Sequence, residues 1–312
     1  MTKPQPKITI GLTCFNAADT IERAVRSALT QDWQNLEICV VDDASTDESA
    51  GLLEDAFKDH PRVKIIRHVE NKGYPSALNT LVEHASGEFI AFFDDDDESA
   101  PDRLSKQYER FIRYEESSGT GDILCYTNRL VVKASGQNEM KAIGSTDKEP
   151  NGSMVADFLL WHYEEPEYAW GQFGSCTLLA RVATFKKHGG FDPEFRRMAE
   201  WDFAIRLAQK GGHFIAVNEP LVTQHITQTS DKGGKIPLQY GLRLRFKHKE
   251  YLKSQRVYLS SLLMAYSRFH YAKSHIGRSR VYLLLACLAS PFRVFVNELE
   301  KRLKRNKAKG AE

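Results

Sequence analysis

"GEFIAFFDDDDESAPDRL", residues Gly87 to Leu104, decides how the chain is read. A short apolar run from Phe89 to Phe93 is followed by four successive carboxylates, Asp94 to Asp97, and then by Pro101 at the start of an amphipathic stretch. An apolar run of strand length, a turn and a helix start make one β-α unit. Four adjacent like charges repel, so the cluster needs solvent or a cation to relieve it. Alternate residues of an extended chain share a face. Asp94 and Asp96 are therefore expected on one side, with Asp95 and Asp97 on the other. Clustered carboxylate oxygens suit hard divalent ions such as Mg²⁺ and Mn²⁺. The same residues also fit a solvated acidic turn before a helix N-terminus, where the helix dipole favours negative charge.

Upstream, the unit repeats. "KITIGLTC", "LEICVVDD" and "RVKIIRH" are short β-branched runs. They alternate with helical patterns in "DTIERAVRSALTQ", where Asp19 and Glu22 have capping-box spacing, in "TDESAGLLEDAFKD", with acids in its first turn, and in "YPSALNTLVEHA", closed by Gly87. Repeated β-α units with continuous apolar strands predict an α/β fold, a mainly parallel sheet flanked by helices. Ligands of such sheets bind at the carboxyl ends of the strands. "TCFN", "DDASTD" and "DDDD" should therefore meet on one rim. On that rim Asp43 is placed to accept hydrogen bonds from a base edge or a ribose, while Ser45 or Thr46 equally fits a helix cap. Gly73 lets backbone approach a ligand, or serves a turn.

Beyond residue 130 the pattern is less regular. "DILCYTNRLVVK" and "GSCTLLARV" read as strands, and "GGFDPEFRRMAEWDFAIRLAQKGG" as a turn and a helix ending at Gly211-Gly212. "HFIAVNEPLVTQHITQT" reads as a strand pair broken at Pro220, and helical patterning runs from Pro237 to Lys304.

The 312 residues are 42% hydrophobic and 27% charged, the composition of a globular protein with ample core. The net charge of +2 is unevenly spread: residues 241–312 hold 17 Lys/Arg against four Asp/Glu. The acidic front suits cations, and the basic rear suits an anionic surface such as a phospholipid leaflet. From Val281 to Ala289 run nine apolar residues, too few to span a bilayer. With Phe292, Val294 and Phe295 they fit an interfacial helix over segment 281–312, or equally a hairpin packed on protein. The same helices offer a surface for a homo-oligomer. No aromatic platform or recognised module accompanies the basic tail, so nucleic acid is not expected as a partner. Cys14, Cys39, Cys125, Cys176 and Cys287 lack zinc-type spacing and read as buried free thiols. With no signal-like or spanning segment in view, the expectation is a cytoplasmic chain, peripheral at the inner face of the cytoplasmic membrane.

The order and spacing of "ITIGLTCFNAADTIERAVRSALTQDWQNLEICVVDDASTD", "ENKGYPSALN" and "GEFIAFFDDDDESAPDRL" resemble a family 2 glycosyltransferase with the GT-A (Rossmann-like) fold, over roughly residues 7–230. The resemblance implies a nucleotide-diphosphate sugar donor, with uridine diphosphate as carrier, a glycan or lipid-linked acceptor, inversion at the anomeric carbon, and Mn²⁺ or Mg²⁺ as cofactor. It implies a catalytic domain over 1–236, with a nucleotide-sugar half to about 130 and an acceptor half beyond, then a helical basic region over 237–312. Thr13, Phe15, Asn16, Asp42, Asp43, Asn71, Gly73, Asn79, Asp94 and Asp95 fall at donor-binding positions. Asp96 is the implied metal ligand, with Asp94 and His225 beside it, and Asp97 supports the turn. The family's Glu-Asp-x-Asp helix appears here as "AEWDFAIRL", with Ala199 in the Glu place. Glu200 is then the first candidate for catalytic base and Asp202 the second, since either carboxylate can take a hydroxyl proton. Both also fit simple first-turn helix acids. Trp201 is core or a sugar platform. Thr229 to Lys235 reads as a loop closing over the donor. A sugar-nucleotide-binding module without catalysis is the alternative. A response-regulator receiver also ends strands in acids, but a second acidic motif and a long second half argue against it.

Overall fold

The apolar runs form strands and the periodic runs form helices, as a computed structural model describing residues 5–133, 136–146, 148–225 and 235–299 makes plain. The chain runs β1 (Ile8–Cys14), α1 (Ile21–Leu29), β2 (Leu36–Asp42), α2 (Ser49–Phe57), β3 (Val63–Arg67), α3 (Tyr74–His84), β4 (Phe89–Phe93), β5 (Glu98–Ser99) and α4 (Arg103–Ser118). It continues through β6 (Ile123–Lys133), β7 (Gly136–Met140), α5 (Ser153–Trp161), β8 (Leu179–Arg181), α6 (Val182–Lys187), α7 (Ala199–Ala208) and β9 (His213–His225). Four helices follow: α8 (Ile236–Lys247), α9 (Lys249–Ser254), α10 (Tyr258–Ala272) and α11 (Ile276–Ala289).

One sheet carries the architecture, in the order β3-β2-β1-β4-β8-β6-β9-β5, with β7 beside β6. β3, β2, β1 and β4 are parallel, and so are β6 and β9; β8 joins the two halves antiparallel to both neighbours. All residues of β1 and β4 are buried, because both sheet faces are covered. Ile8, Ile10 and Leu12 of β1 pack with Val25 of α1, Leu53 of α2 and Phe111 of α4. The opposite face meets Leu81 of α3 at Gly11, and Phe92 meets Phe185 of α6 and Phe191. Each large side chain so buried contributes about 1.5–3 kcal/mol relative to exposure.

Several local expectations are corrected. The spacing of Asp19 and Glu22 does not make a capping box: α1 follows Thr20, which makes no side-chain cap, and Glu22 pairs with Arg26 one turn on. α2 starts at Ser49, so its acids precede the first turn, and Asp47 accepts from the Ser49 N–H at 3.0 Å. Gly87 does not close α3, which ends at His84. It lies flat against β1, where a Cβ would stand 2.7 Å from the Thr9 nitrogen and 2.8 Å from the Lys7 oxygen. Pro220 does not divide a strand pair. β9 is continuous, and the register shifts at Thr127–Asn128 of β6 let it absorb the proline that cannot donate to a ladder.

The chain forms two compact units, Met1–Ser153 with Pro166–Gln228, and Met154–Glu165 with Thr229–Glu312. The sheet and its flanking helices make the first; most of α5 joins the C-terminal helices in the second. Within the second, the Arg245 guanidinium donates to the Ser261 and Gly241 carbonyls, and Ser261 Oγ donates to Leu160 O.

Glu37 ties β2 to β1 and to the turn before β4. Its carboxylate accepts from Lys7 Nζ (2.7 Å), Thr9 Oγ1 (2.6 Å), Ser86 N (2.7 Å) and Ser86 Oγ (2.6 Å). Partial burial opposes its charge, but these donors outweigh it and bring its pKa down to about 2. A depressed carboxyl stabilises the fold fully above its unfolded pKa of about 4.3 and loses that contribution as pH falls toward the folded value. Glu37→Gln is thus expected to lower stability at pH 7, with the gap to wild type closing between about pH 4 and 2. Urea unfolding at stepped pH checks this; a gap that stays constant to pH 2 would contradict it.

Candidate active site

Parallel registry brings the strand ends together. Cys14 of β1 faces Asp42 of β2, and Leu12 faces Phe93 of β4. The residues after each strand therefore share one rim, as the sequence pattern requires. Phe15 N–H donates to Asp95 Oδ2 at 3.2 Å, and Asp43 N–H to the Cys14 carbonyl at 2.8 Å. The Phe15 ring is 46% exposed on this rim, open to stack on a planar ligand.

Asp42 and Asp43 are buried, and both serve the rim's own loops. Asp42 accepts from Ser45 N–H at 3.0 Å and pairs with Arg67 at 3.2 Å. Asp43 accepts from Lys72 and Gly73 N–H (2.9 and 2.8 Å) and meets His68 Nδ1 at 2.7 Å. It thereby fixes the "NKGY" loop and presents Asn71, which is exposed. Asn16, in a left-handed conformation (φ 53°), accepts from Thr46 N–H through its Oδ1 at 2.8 Å. Thr13 is buried near the end of β1.

The four aspartates do not alternate between two faces. The chain turns at Asp95–Asp96, so Asp94 and Asp97 converge. Asp94, Asp97 and the Cys176 thiol place one ligand atom each within 4.8 Å of one another. Both Asp97 carboxylate oxygens are buried with no hydrogen-bond partner. Burial first, then the neighbouring carboxylates, pushes Asp95 up to about 7 and holds Asp94 and Asp97 well above the usual carboxylate range. A crowded set of oxygens with buried, unmet acceptors is what a divalent cation relieves, so these residues fit the implied metal. Asp96 stands half-buried on the turn, and its carbonyl accepts from Arg23 at 2.9 Å. His225 ends β9 with Nε2 3.0 Å from Glu98 Oε1, one residue beyond the aspartates.

The turn is stapled from beneath by Arg103, which has no exposed surface. Its guanidinium donates to the Phe92 carbonyl before the turn (3.0 Å) and to Ser99 Oγ after it (2.9 Å), and to Gln107 Oε1 (3.0 Å). Burial lowers its pKa to about 10, so it stays cationic at neutral pH beneath the carboxylates.

A polar chain links this turn to α7. Tyr74 OH lies 3.4 Å from Asp94 Oδ1 and hydrogen-bonds Ser175 Oγ, which also donates to Glu200 Oε1 at 3.0 Å. Burial raises the pKa of Glu200. Asp202 is placed differently: it has no exposed surface, and it pairs with Arg206 at 2.8 Å. Arg206 in turn donates to the His188 and Gly190 carbonyls, so Asp202 holds α7 to the "GGFD" turn and offers no face to a substrate. Asn79 is likewise a bracket. Its amide donates to Phe191 O at 2.7 Å and accepts from Phe191 N–H at 2.8 Å. Gly190, at φ +62°, makes room for it, since a Cβ there would lie 2.5 Å from Asn79 Oδ1. Trp201 is partly exposed.

Sequence reading did not single out Tyr74, Ser175, Cys176, Arg103 or Arg129, whose guanidinium lies 3.7 Å from Cys176 Sγ. Tyr74 and Arg103 sit inside the quoted motifs; Ser175 and Cys176 carry no signal in spacing. Residues 229–234 of the expected donor-closing loop lie outside the described residues. The cysteines are all free thiols, four of them buried, as expected.

The family model of glycosyl transferase family 2 matches residues 9–162. The hyaluronan synthase of Pasteurella multocida is 25% identical over 256 residues, covering 71% of this chain and 24% of that protein. The succinoglycan biosynthesis protein ExoO of Rhizobium meliloti is 42% identical over 105 residues, 34% of this chain and 30% of that protein. The chain thus spans under a third of the length of these relatives. Among solved structures, Staphylococcus aureus TarS 1-349 in complex with UDP-GlcNAc superposes with a TM-score of 0.65 at 17% identity, over 92% of this chain and 82% of that one. The mannosyltransferase PcManGT of Pyrobaculum calidifontis, in complex with GDP-Man and Mn²⁺, does so with 0.57 at 18%, over 99% and 82%. These likenesses establish the GT-A fold.

The bracket role of Asn79 is open to test. Asn79→Ala leaves two backbone groups of Phe191 unmet and is expected to cost about 1–3 kcal/mol of stability, read by urea unfolding. Unchanged stability with weakened nucleotide binding would instead return Asn79 to the donor site.

Proposed function

We propose, from the match of residues 9–162 to the model of glycosyl transferase family 2, an inverting glycosyltransferase that moves a sugar from a uridine-diphosphate donor to a hydroxyl of a glycan or lipid-linked acceptor in polysaccharide synthesis. The observation that carries the reading is the polar chain joining the acidic turn to Glu200. It links Asp94 and Glu200, the residues this reading takes as donor ligand and base, in one hydrogen-bonded network. The donor assignment rests on the family resemblance, and it agrees with the UDP-GlcNAc bound by the S. aureus protein. The polysaccharide assignment follows the named roles of the relatives.

Phe15 stacks on the base, Asp43 holds the loop that presents Asn71 to the nucleoside, and Gly73 lets backbone close on it. Asp94, Asp95 and Asp96 face the ribose and diphosphate. A divalent cation, Mn²⁺ or Mg²⁺, held by Asp96 and Asp94 with Asp97 beneath and His225 at the edge, would neutralise charge on the departing diphosphate. Glu200 takes the proton of the acceptor hydroxyl, which attacks the anomeric carbon from the side opposite the leaving group. Its raised pKa strengthens it as a base. Ser175 Oγ fixes one carboxylate oxygen of Glu200, and Tyr74 couples that position to Asp94. Holding donor and acceptor together supplies the proximity term.

Glu200→Gln keeps the shape and the Ser175 contact but removes the base. Transfer from UDP-sugars is expected to fall by at least about a hundredfold, while UDP affinity by calorimetry is unchanged. Wild-type turnover in this variant would sink the base assignment. A wild-type protein that binds UDP-sugars yet neither transfers nor hydrolyses them would leave the binding-module reading in its place.

A further inference from the structure

The second unit carries apolar surface that no described residue covers. α10 and α11 pair through an inner face, where Tyr266 and Tyr282 stack at 5.3 Å and Ser267 Oγ donates to the Ser279 carbonyl at 2.8 Å. Only Ser279 and Ala286 of α11 are buried. Its other side exposes Val281, Leu284, Leu285 and Leu288, at 57, 61, 43 and 68%. A bend of 118° then leads into the segment Pro291–Leu299, where Phe292 is 91% exposed and Phe295, Val296 and Leu299 are open too. Spacings of three and four residues put Val281, Leu284, Leu285 and Leu288 on one stripe of α11, and the exposed apolar residues beyond the bend add to that surface. Contiguous apolar surface on this scale marks an interaction site. Between the two arms a mainly apolar cavity of about 160 Å³ is lined by Leu283, Leu284, Cys287, Phe295 and Leu299, with Arg280 and Glu298.

The charge around the stripe selects the occupant. Lys273, Arg278, Arg280 and Arg293 are exposed along it, against one acid, Glu298, between residues 271 and 299. In sequence, residues 300–309 add six Lys/Arg, outside the described residues. A two-fold pairing of this surface with a second copy would set like charges against each other. An anionic headgroup layer over hydrocarbon satisfies both the stripe and its basic border. The 14 residues of α11 span about 21 Å, short of the roughly 30 Å hydrocarbon core. No single described helix is long and apolar enough to cross a membrane.

We propose that α11 and the segment Pro291–Leu299 form an interfacial wedge that inserts Leu284, Leu288 and Phe292 into an anionic phospholipid leaflet, with Arg278, Arg280 and Arg293 among the headgroups. The wedge lies in the plane of the interface and does not span it.

Flotation of the full chain with lipid vesicles tests this. Wild type is expected to float with phosphatidylglycerol–phosphatidylcholine vesicles, less with phosphatidylcholine alone, and less as salt is raised. Leu284→Asp with Leu288→Asp and Phe292→Asp changes only exposed side chains, so its unfolding midpoint should match wild type. Its vesicle partitioning should fall by more than about tenfold, since removing one buried side chain already exceeds 1.4 kcal/mol. Arg278→Glu with Arg280→Glu should abolish the preference for phosphatidylglycerol. The proposal is overturned if wild type stays unbound, if the apolar variant floats as wild type does, or if wild type is a dimer that ignores vesicles and that the apolar variant dissociates.

Discussion

One buried guanidinium holds the site together. Arg103 reaches from the first turn of α4 to the chain before and after the acidic turn, through the Phe92 carbonyl and Ser99 Oγ. Four adjacent carboxylates would otherwise splay toward water. With both ends of the turn pinned, Asp94 and Asp97 face each other and Asp95 reaches across to the Phe15 backbone. The arrangement is unfavourable as it stands, because it leaves Asp97 unmet and raises three carboxyl pKa values. That stored repulsion is the physical basis for reading the turn as a cation and diphosphate site.

The second half of the sheet holds Glu200, the proposed base, in place. α7 is fixed by Asp202 and Arg206 to the "GGFD" turn, and that turn is fixed to α3 by Asn79. α3 begins at Tyr74, whose hydroxyl touches Asp94 and Ser175. The buried chain from Asn79 to Arg206 therefore sets where Glu200 stands relative to the aspartates. Side chains expected at the site by type can be engaged by the fold: Asp202, a candidate base, pairs with Arg206, and Asn79, a candidate donor ligand, brackets Phe191.

The parallel half of the sheet was legible because β1, β2 and β4 are buried almost throughout and read as apolar runs. The convergence of three motifs followed from strand polarity alone. Pattern failed where contacts between distant segments decide the outcome. Asp94 and Asp97 meet through a turn that the alternation rule cannot anticipate, and Ser175 meets Glu200 across 25 residues that run through β8 and α6. Gly87 looked like a helix stop, but its lack of a side chain serves close approach to β1. Pro220 looked like a break, but a register shift absorbs it. In each case a local signal was real and its meaning was set by a partner elsewhere.

We read the acidic turn as a site prepared for a divalent cation and a nucleotide diphosphate. Calorimetric titration of UDP into the protein, with Mn²⁺ and with chelator, tests it most directly. Binding is expected to be at least about tenfold tighter with Mn²⁺, a gain of about 1.4 kcal/mol, and to lose that gain in Asp96→Ala. Equal UDP affinity with and without the cation would contradict it.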